Sequence, residues 1–428
     1  MTETVRVGLL GCGNVGGPLV ELLRTRASEI EARTGLRLEV ARVAVRSASK
    51  VRSVELPDGA LTTDAADVVT DPGIDVVVEV IGGVEPAREL VLAALAAGKP
   101  VVTGNKELLA NVGAELFAAA EAAGKDLLFE AAVAGGIPLI RPLRESLAGE
   151  RIERVLGIVN GTTNFILTKM TEEGTDYGDA LAEAQRLGFA ERDPTADVEG
   201  FDAGAKAAII ASIAFGARVV AGDVYHEGIS QVTAADIEYA AKLGYVVKLL
   251  AIAERDPADD RSVGVRVHPA MVPVTHPLAS VRESYNAVFV EGEAVGSLMF
   301  YGRGAGGMPT ASAVLGDLID AAANLRKGAH ASLGSLAKAD IRPIDDACSE
   351  YYLNLEVADE PGVLAAVAGV FGRHGVSIRA MEQEGLGAEA RLVFITHTAV
   401  ERDVQATMHD LRELDAVTAI VSMLRVIA

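Results

Sequence analysis

Apolar residues near the N-terminus fall into two alternating rhythms, short unbroken runs and stretches with a three-to-four-residue period. Val5 to Leu10 is an apolar run ending at Gly11. Pro18 to Ala32 follows with helical spacing, its proline in the first turn, where a missing N–H costs nothing. Leu38 to Val45 predicts the next strand. Ile74 to Val80, a helix through Leu90 to Ala97, Val101 and Val102, and Leu127 to Phe129 continue the alternation. Strands separated by helices predict parallel βαβ units, a Rossmann-like, doubly wound α/β domain over residues 1–150.

Beyond Arg151 the rhythm changes. Ile152 to Val159 reads as a strand, NGTTN from Asn160 as a polar turn, and helix-like stretches run to about Ala221. Strands near Val263 to Val267, Ala287 to Val290 and Leu298 to Tyr301 make 151–301 an α+β segment, expected to carry catalysis and dimerisation. Residues 302–335 open on GRGAGGMPT and enter an Ala/Leu helix, expected to pack back on the first domain. Ala337 to Cys348 reads as a linker, and 350–428 as one small α+β module with a strand–helix–strand rhythm. A length of 428 residues agrees with about three domains.

Composition narrows the classes. With 50% apolar residues, long disorder is excluded. The net charge of -21, from 39 bases and 60 acids, repels nucleic acid and anionic lipid, so neither is an expected partner. The most apolar stretch, Ala205 to Gly222, contains Lys206 and Arg218, which predicts a buried helix rather than a membrane span. No apolar leader precedes the first strand. Cys12 and Cys348 form no pairing or metal motif, and the seven histidines are scattered. A reducing, cytoplasmic setting is expected.

The first chemical motif is GLLGCGNVGG. Gly11 would permit the tight turn, Gly13 would let the backbone approach a pyrophosphate, and Gly16 would let helix and strand pack closely. Asn14 and Val15 complete the candidate cofactor loop, whose helix N-terminus supplies N–H donors for phosphate. An acid at the end of the second strand would favour NAD. This chain has Arg46 there, with Lys50 and Arg52 following, so NADP is expected over NAD.

The second motif runs from Ala184 to Lys206, AQRLGFAERDPTADVEGFDAGAK. Asp202 and Lys206, four apart, share one face of a helix that is apolar beyond the lysine. Partial desolvation of that ammonium would bring it toward a useful acid–base range, although a plain helix-start ion pair has the same pattern. The pattern A-x-x-x-G-F-A-x-x-D-P-x-x-D-V-x-G-x-D-x-x-x-K resembles the signature of the homoserine dehydrogenases, with every fixed position filled. TGNK at Thr103, EAAVAGGIP at Glu130, NGTTNFI at Asn160 and GAGGMPTA at Gly304 are similar to that family in the same order, across essentially the whole chain.

The resemblance implies interconversion of L-homoserine and L-aspartate 4-semialdehyde by hydride transfer. Lys206 would then be the proton donor and acceptor, and Lys106 the second lysine, near both cofactor and reacting oxygen. Asp202 and Glu191 would hold the substrate, and Gly188 and Gly306 would contact the cofactor. It also implies a monovalent cation, sodium, among Glu130, Val133, Gly135 and Ile137. The tail from Tyr351 to Ile378 resembles an ACT domain, with Asp359 and Glu360 before a helix start that could bind an amino-acid carboxylate. Threonine is the implied effector, in a homo-oligomer of two or four copies. A dimerisation module without ligand has the same sequence pattern. With no kinase-like segment ahead of it, the chain reads as a single-function form. Two other readings stay open on the front domain alone: another NAD(P)-dependent amino-acid dehydrogenase, and a non-enzymatic nucleotide or amino-acid sensor.

Overall fold

The structure, a computed structural model, describes residues 3–333, 336–385, 387 and 389–427. The chain forms two compact units, each gathered from several segments. The first comprises Met1–Val159, Gly204–Val224 and Asn286–Ala339; the second comprises Asn160–Ala203, Tyr225–Tyr285 and Asp340–Ala428.

The first unit is built on a parallel six-stranded sheet. Its elements are β1 (Glu3–Leu10), α1 (Gly16–Thr25), α2 (Ala27–Thr34), β2 (Leu36–Ala44), β3 (Leu61–Thr62), α3 (Ala66–Val69), β4 (Val76–Glu79), α4 (Ala87–Ala96), β5 (Val101–Thr103), α5 (Lys106–Ala123) and β6 (Leu127–Leu128). The strand order is β3-β2-β1-β4-β5-β6, so the order reverses between β1 and β4, where such sheets take ligands at their carboxyl ends. Strands covered on both faces read as near-continuous apolar runs, and all four residues of β4 are buried. Val5, Val7, Leu9, Val76 and Val78 pack with Leu19, Val20 and Leu23 of α1 and with Ala311, Val314 and Leu318 of the helix Gly307–Lys327.

Two expected elements take a different form. The single helix expected from Pro18 to Ala32 is two helices, separated at Arg26 (φ -106, ψ 7). After Leu23 no large apolar residue stands three or four positions on to hold the helix against the core, and α2 buries only Ile30. The polar turn expected at NGTTN is instead the start of a helix, α6 (Gly161–Glu173). Asn160 caps it by accepting the N–H of Thr163 at 2.9 Å, and Thr162, Thr163 and Asn164 are buried. In the first unit β7 (Ile152–Ile158) lies antiparallel to the strand Tyr285–Gly292, with Ala287 opposite Ile158.

The second unit holds α6, α7 (Tyr177–Leu187) and α8 (Thr195–Val198), a hairpin of strands Tyr245–Asp256 and Asp259–Pro273, and the C-terminal segment. That segment runs strand, helix, strand, strand, helix, strand from Cys348–Ala358 to Val417–Val426, a ferredoxin-like βαββαβ module. Its core is formed by Leu353, Leu355, Val367, Phe371, Phe394, Val404 and Leu411. The outer edge of Asp259–Pro273 is covered piecemeal. Asp340–Ile341 pairs with Ser262–Val263, Tyr225–His226 with Arg266–Val267, and Arg425–Val426 with Ala270–Met271. The stretch read as a linker is thus tied down: Ala337 also pairs with Ala217 in the first unit. The helix α9 (Phe201–Phe215) follows α8, and no described helix is long and apolar enough to cross a membrane.

Candidate active site

The glycine loop between β1 and α1 has the shape its residues require. Gly11 sits at φ +98, and a Cβ on Gly16 would lie 2.2 Å from the Gly11 carbonyl oxygen. Around Gly13 a Cβ would meet nothing within 4 Å, so the loop presents open, side-chain-free backbone, which suits a dinucleotide pyrophosphate. Asn14 is exposed and Val15 precedes α1. A contact not anticipated from the sequence comes from the late glycine turn: a Cβ on Gly307 would lie 2.3 Å from the Asn14 carbonyl oxygen. That close approach explains the glycine there, and Gly306 beside it is exposed at φ +116 as the cap of the following helix.

At the end of β2, Arg46 and Lys50 are exposed. Arg52 is engaged locally, donating to the carbonyls of Ser47, Ala48 and Lys50, and so folds the loop that follows Arg46. The Cys12 thiol is pushed up by burial, against a smaller lowering by Arg52, which leaves it a poor nucleophile.

Lys106 is the first residue of α5, at the carboxyl end of β5. The helix is capped by Asn105, whose Oδ1 accepts the Leu108 N–H at 3.1 Å. Ahead of it, the buried Glu79 at the end of β4 accepts from Thr103 Oγ1 at 2.5 Å and from the Ile81 N–H at 2.8 Å. Sequence reasoning passed over Glu79, although an acid ending a run of valines was a visible signal.

In the second unit the signature stretch packs on α6. Thr162 donates to the Phe189 carbonyl at 2.8 Å, and the Phe189 ring lies 4.9 Å from that of Phe165. Gly188 ends α7 in the left-handed region at φ +79, and Glu191 is exposed just beyond. Asn160 donates from Nδ2 to Asp197 at 2.7 Å and to Asp202 at 3.0 Å, while Thr162 Oγ1 donates to Asp197 at 3.2 Å. Two carboxylates gathered on one amide keep lone pairs for a cationic ligand such as a substrate ammonium. Asp197 and Asn160 were not among the expected site residues; the D-P-x-x-D spacing inside the signature was the available signal. Asp202 is buried, and Lys206, one turn further along α9, is half-buried. In the first unit Lys206 Nζ donates to the Val159 carbonyl at 2.7 Å. A lysine held by a neutral carbonyl can deliver a proton to an alkoxide and take it back.

In the loop from Glu130 the acid is engaged by main-chain N–H groups. The Glu130 carboxylate is buried and accepts the N–H groups of Leu139, Ile140 and Arg141, so it closes the helical turn there. Its own N–H donates to Asp317 at 2.7 Å. Burial pushes the Asp317 carboxyl up to about 7. Ala134 and Gly135 are consecutive left-handed residues, at φ 56 and φ 44, which turn successive main-chain carbonyls in different directions between Val133 and Ile137. A hard monovalent cation at this loop would draw on those carbonyls, the Glu130 carboxylate being already shared among three amides. At the C-terminal module, Asp359 and Glu360 are exposed before the helix Val363–Arg373, which Gly362 caps at φ +95.

Comparison with known proteins follows the same division. Residues 138–319 match the family described as homoserine dehydrogenase, residues 11–130 its NAD-binding domain, and residues 351–416 the ACT domain. A homoserine dehydrogenase of Corynebacterium glutamicum is 52% identical over 426 residues, 99% of this chain and 96% of its own length. The crystal structure of a homoserine dehydrogenase from Thiobacillus denitrificans superposes with a TM-score of 0.93 at 46% identity, covering 99% of this chain and 98% of that one. A hyperthermophilic archaeal homoserine dehydrogenase in complex with NADPH matches 74% of this chain and 98% of its own, with a TM-score of 0.64 and 30% identity.

Proposed function

The chain belongs to the homoserine dehydrogenase family and is an NAD(P)-dependent oxidoreductase of amino-acid biosynthesis; from that premise we propose how its own residues interconvert L-homoserine and L-aspartate 4-semialdehyde. The observation that carries the reading is Lys206, held at its Nζ by a carbonyl and standing one helical turn after Asp202. The bound nicotinamide supplies hydride to the aldehyde carbon or takes it from the alcohol. Lys206 polarises the substrate oxygen, protonates it on reduction and accepts the proton on oxidation. Lys106 adds a second positive charge near that oxygen. Asp202 and Glu191 orient the substrate through its ammonium, and Asp197 joins them through Asn160.

Gly11, Gly13, Asn14, Val15 and Gly16 receive the pyrophosphate, with Gly188 and Gly306 bordering the cofactor. Arg46 and Lys50 favour a 2′-phosphate, and NADP is the preferred form. The Glu130 group and the carbonyls of Val133, Gly135 and Ile137 would hold a sodium ion, which would order that loop. The ACT module binds an amino acid, threonine being the effector expected for feedback. The enzyme works in the cytoplasm as a dimer or tetramer. The test is NADPH absorbance after addition of aspartate semialdehyde, with and without threonine. Oxidation is expected, slowed by threonine; no oxidation under any salt or cofactor condition would overturn the assignment of chemistry.

A further inference from the structure

We propose that Glu79 is a positioning residue for the reaction, its carboxylate joining the ends of β4 and β5 and thereby setting the start of α5, where Lys106 stands. Glu79 is fully buried. Its Oε1 accepts the N–H groups of Ile81 at 2.8 Å and Gly82 at 3.3 Å, and its Oε2 accepts Thr103 Oγ1 at 2.5 Å. That same Thr103 oxygen accepts the Asn105 N–H at 3.0 Å. Asn105 in turn donates to the Gly83 carbonyl at 2.7 Å and caps α5 through Leu108. Loop 81–83 and turn 103–105 therefore hang on one carboxylate.

Among the described residues no lysine or arginine pairs with Glu79. A buried carboxylate satisfied only by main-chain, hydroxyl and amide donors is a costly choice for a core position that an apolar residue would fill at lower cost. The position lies at the carboxyl ends of two strands beside the sheet's switch point, where a dinucleotide-binding sheet takes its ligands. The order that Glu79 imposes there passes through Thr103 and Asn105 to the residue after the cap, Lys106. The inference rests on the reading of Lys106 given above.

The test is an epistasis series on the full-length enzyme. Glu79→Ala is expected to lower kcat about 100-fold, the cost typical of a misplaced catalytic group, with the NADPH Kd from fluorescence titration nearly unchanged. Glu79→Gln keeps an acceptor for Ile81 and Gly82 and an amide toward Thr103, and is expected to restore most of kcat. In a Lys106→Met background, Glu79→Ala is expected to change the residual kcat little. Wild-type kcat in Glu79→Ala, no rescue by Glu79→Gln, or full multiplication of the two losses would overturn the proposal. Wild-type turnover in Lys106→Met alone would instead overturn the reading of Lys106, and the positioning role with it. If Glu79→Ala does not fold, Thr103→Val, which removes only the hydroxyl between Glu79 and Asn105, is read by the same outcomes.

Discussion

Lys206 Nζ donates to the main-chain carbonyl of Val159 at 2.7 Å, which ties the ammonium to the residue just past the end of β7. Lys206→Ala is therefore expected to remove the proton donor without disturbing the cap of α6. Steady-state kinetics should show kcat lowered by about 10²–10⁴-fold, the usual worth of a positioned acid–base group. NADPH binding should stay near wild type. Loss of both together would mark Lys206 as structural.

Asn160 holds Asp197 and Asp202 with one amide, and its oxygen caps α6. Asn160→Ala should raise KM for homoserine about tenfold or more, since two carboxylates lose a shared donor worth ~1.5–3 kcal/mol to a charged group. The KM for the cofactor should hold. Equal rises in both constants would argue against a substrate-side role.

Arg46 is exposed at the end of the strand that faces the adenosine ribose in sheets of this order. Arg46→Ala should reduce the ratio of kcat/KM for NADPH over NADH by about tenfold, in line with loss of one charge-assisted bond. A ratio that does not move, or a wild type that uses NADH as well as NADPH, would exclude Arg46 as the selector.

Lys248 donates to Asn164 Oδ1 at 3.0 Å and to the Val281 carbonyl at 2.6 Å. Burial lowers its ammonium to about 8, from 10.5. The folded state thus releases this proton before the unfolded chain does. Between about pH 8 and 10.5 the unfolded chain binds more of it, and this group's contribution makes stability rise with pH across that window. Chemical denaturation at pH 7.5, 8.5 and 9.5 should show wild type gaining on Lys248→Met as pH rises. Parallel curves would show that Lys248 keeps an ordinary affinity for its proton.

The front sheet was legible because parallel strands buried on both faces leave unbroken apolar runs, as in Val76–Val78. The helix α5 was not, because its alanine-rich sequence buries only a few large side chains, Leu108, Leu109 and Leu116. NGTTN reads equally as a turn or a capped helix start, since the same short polar side chains serve both. The lysines and acids of the signature were visible through their fixed spacing. Their partners were not: the Val159 carbonyl and the Asn160 amide act through contacts far apart in sequence, which no local pattern encodes, and the same holds for the Glu79 bond to Thr103. The Glu130 carboxylate also closes a helical turn on three amides, a use that depends on where Leu139 to Arg141 fold back.

The piecemeal cover on Asp259–Pro273 also bears on the solubility of shortened forms. Pairs at 262–263, 266–267 and 270–271 come from three separate places in the chain, and two of them, Asp340–Ile341 and Arg425–Val426, lie in the C-terminal third. Cutting the chain before Asp340 would remove both at once and leave the outer edge of that strand, among the described residues, paired only with Tyr225–His226. Such an edge is a template for strand pairing between copies. The C-terminal segment therefore also covers a strand edge that a truncated chain would leave open to pairing, whether or not a ligand is bound.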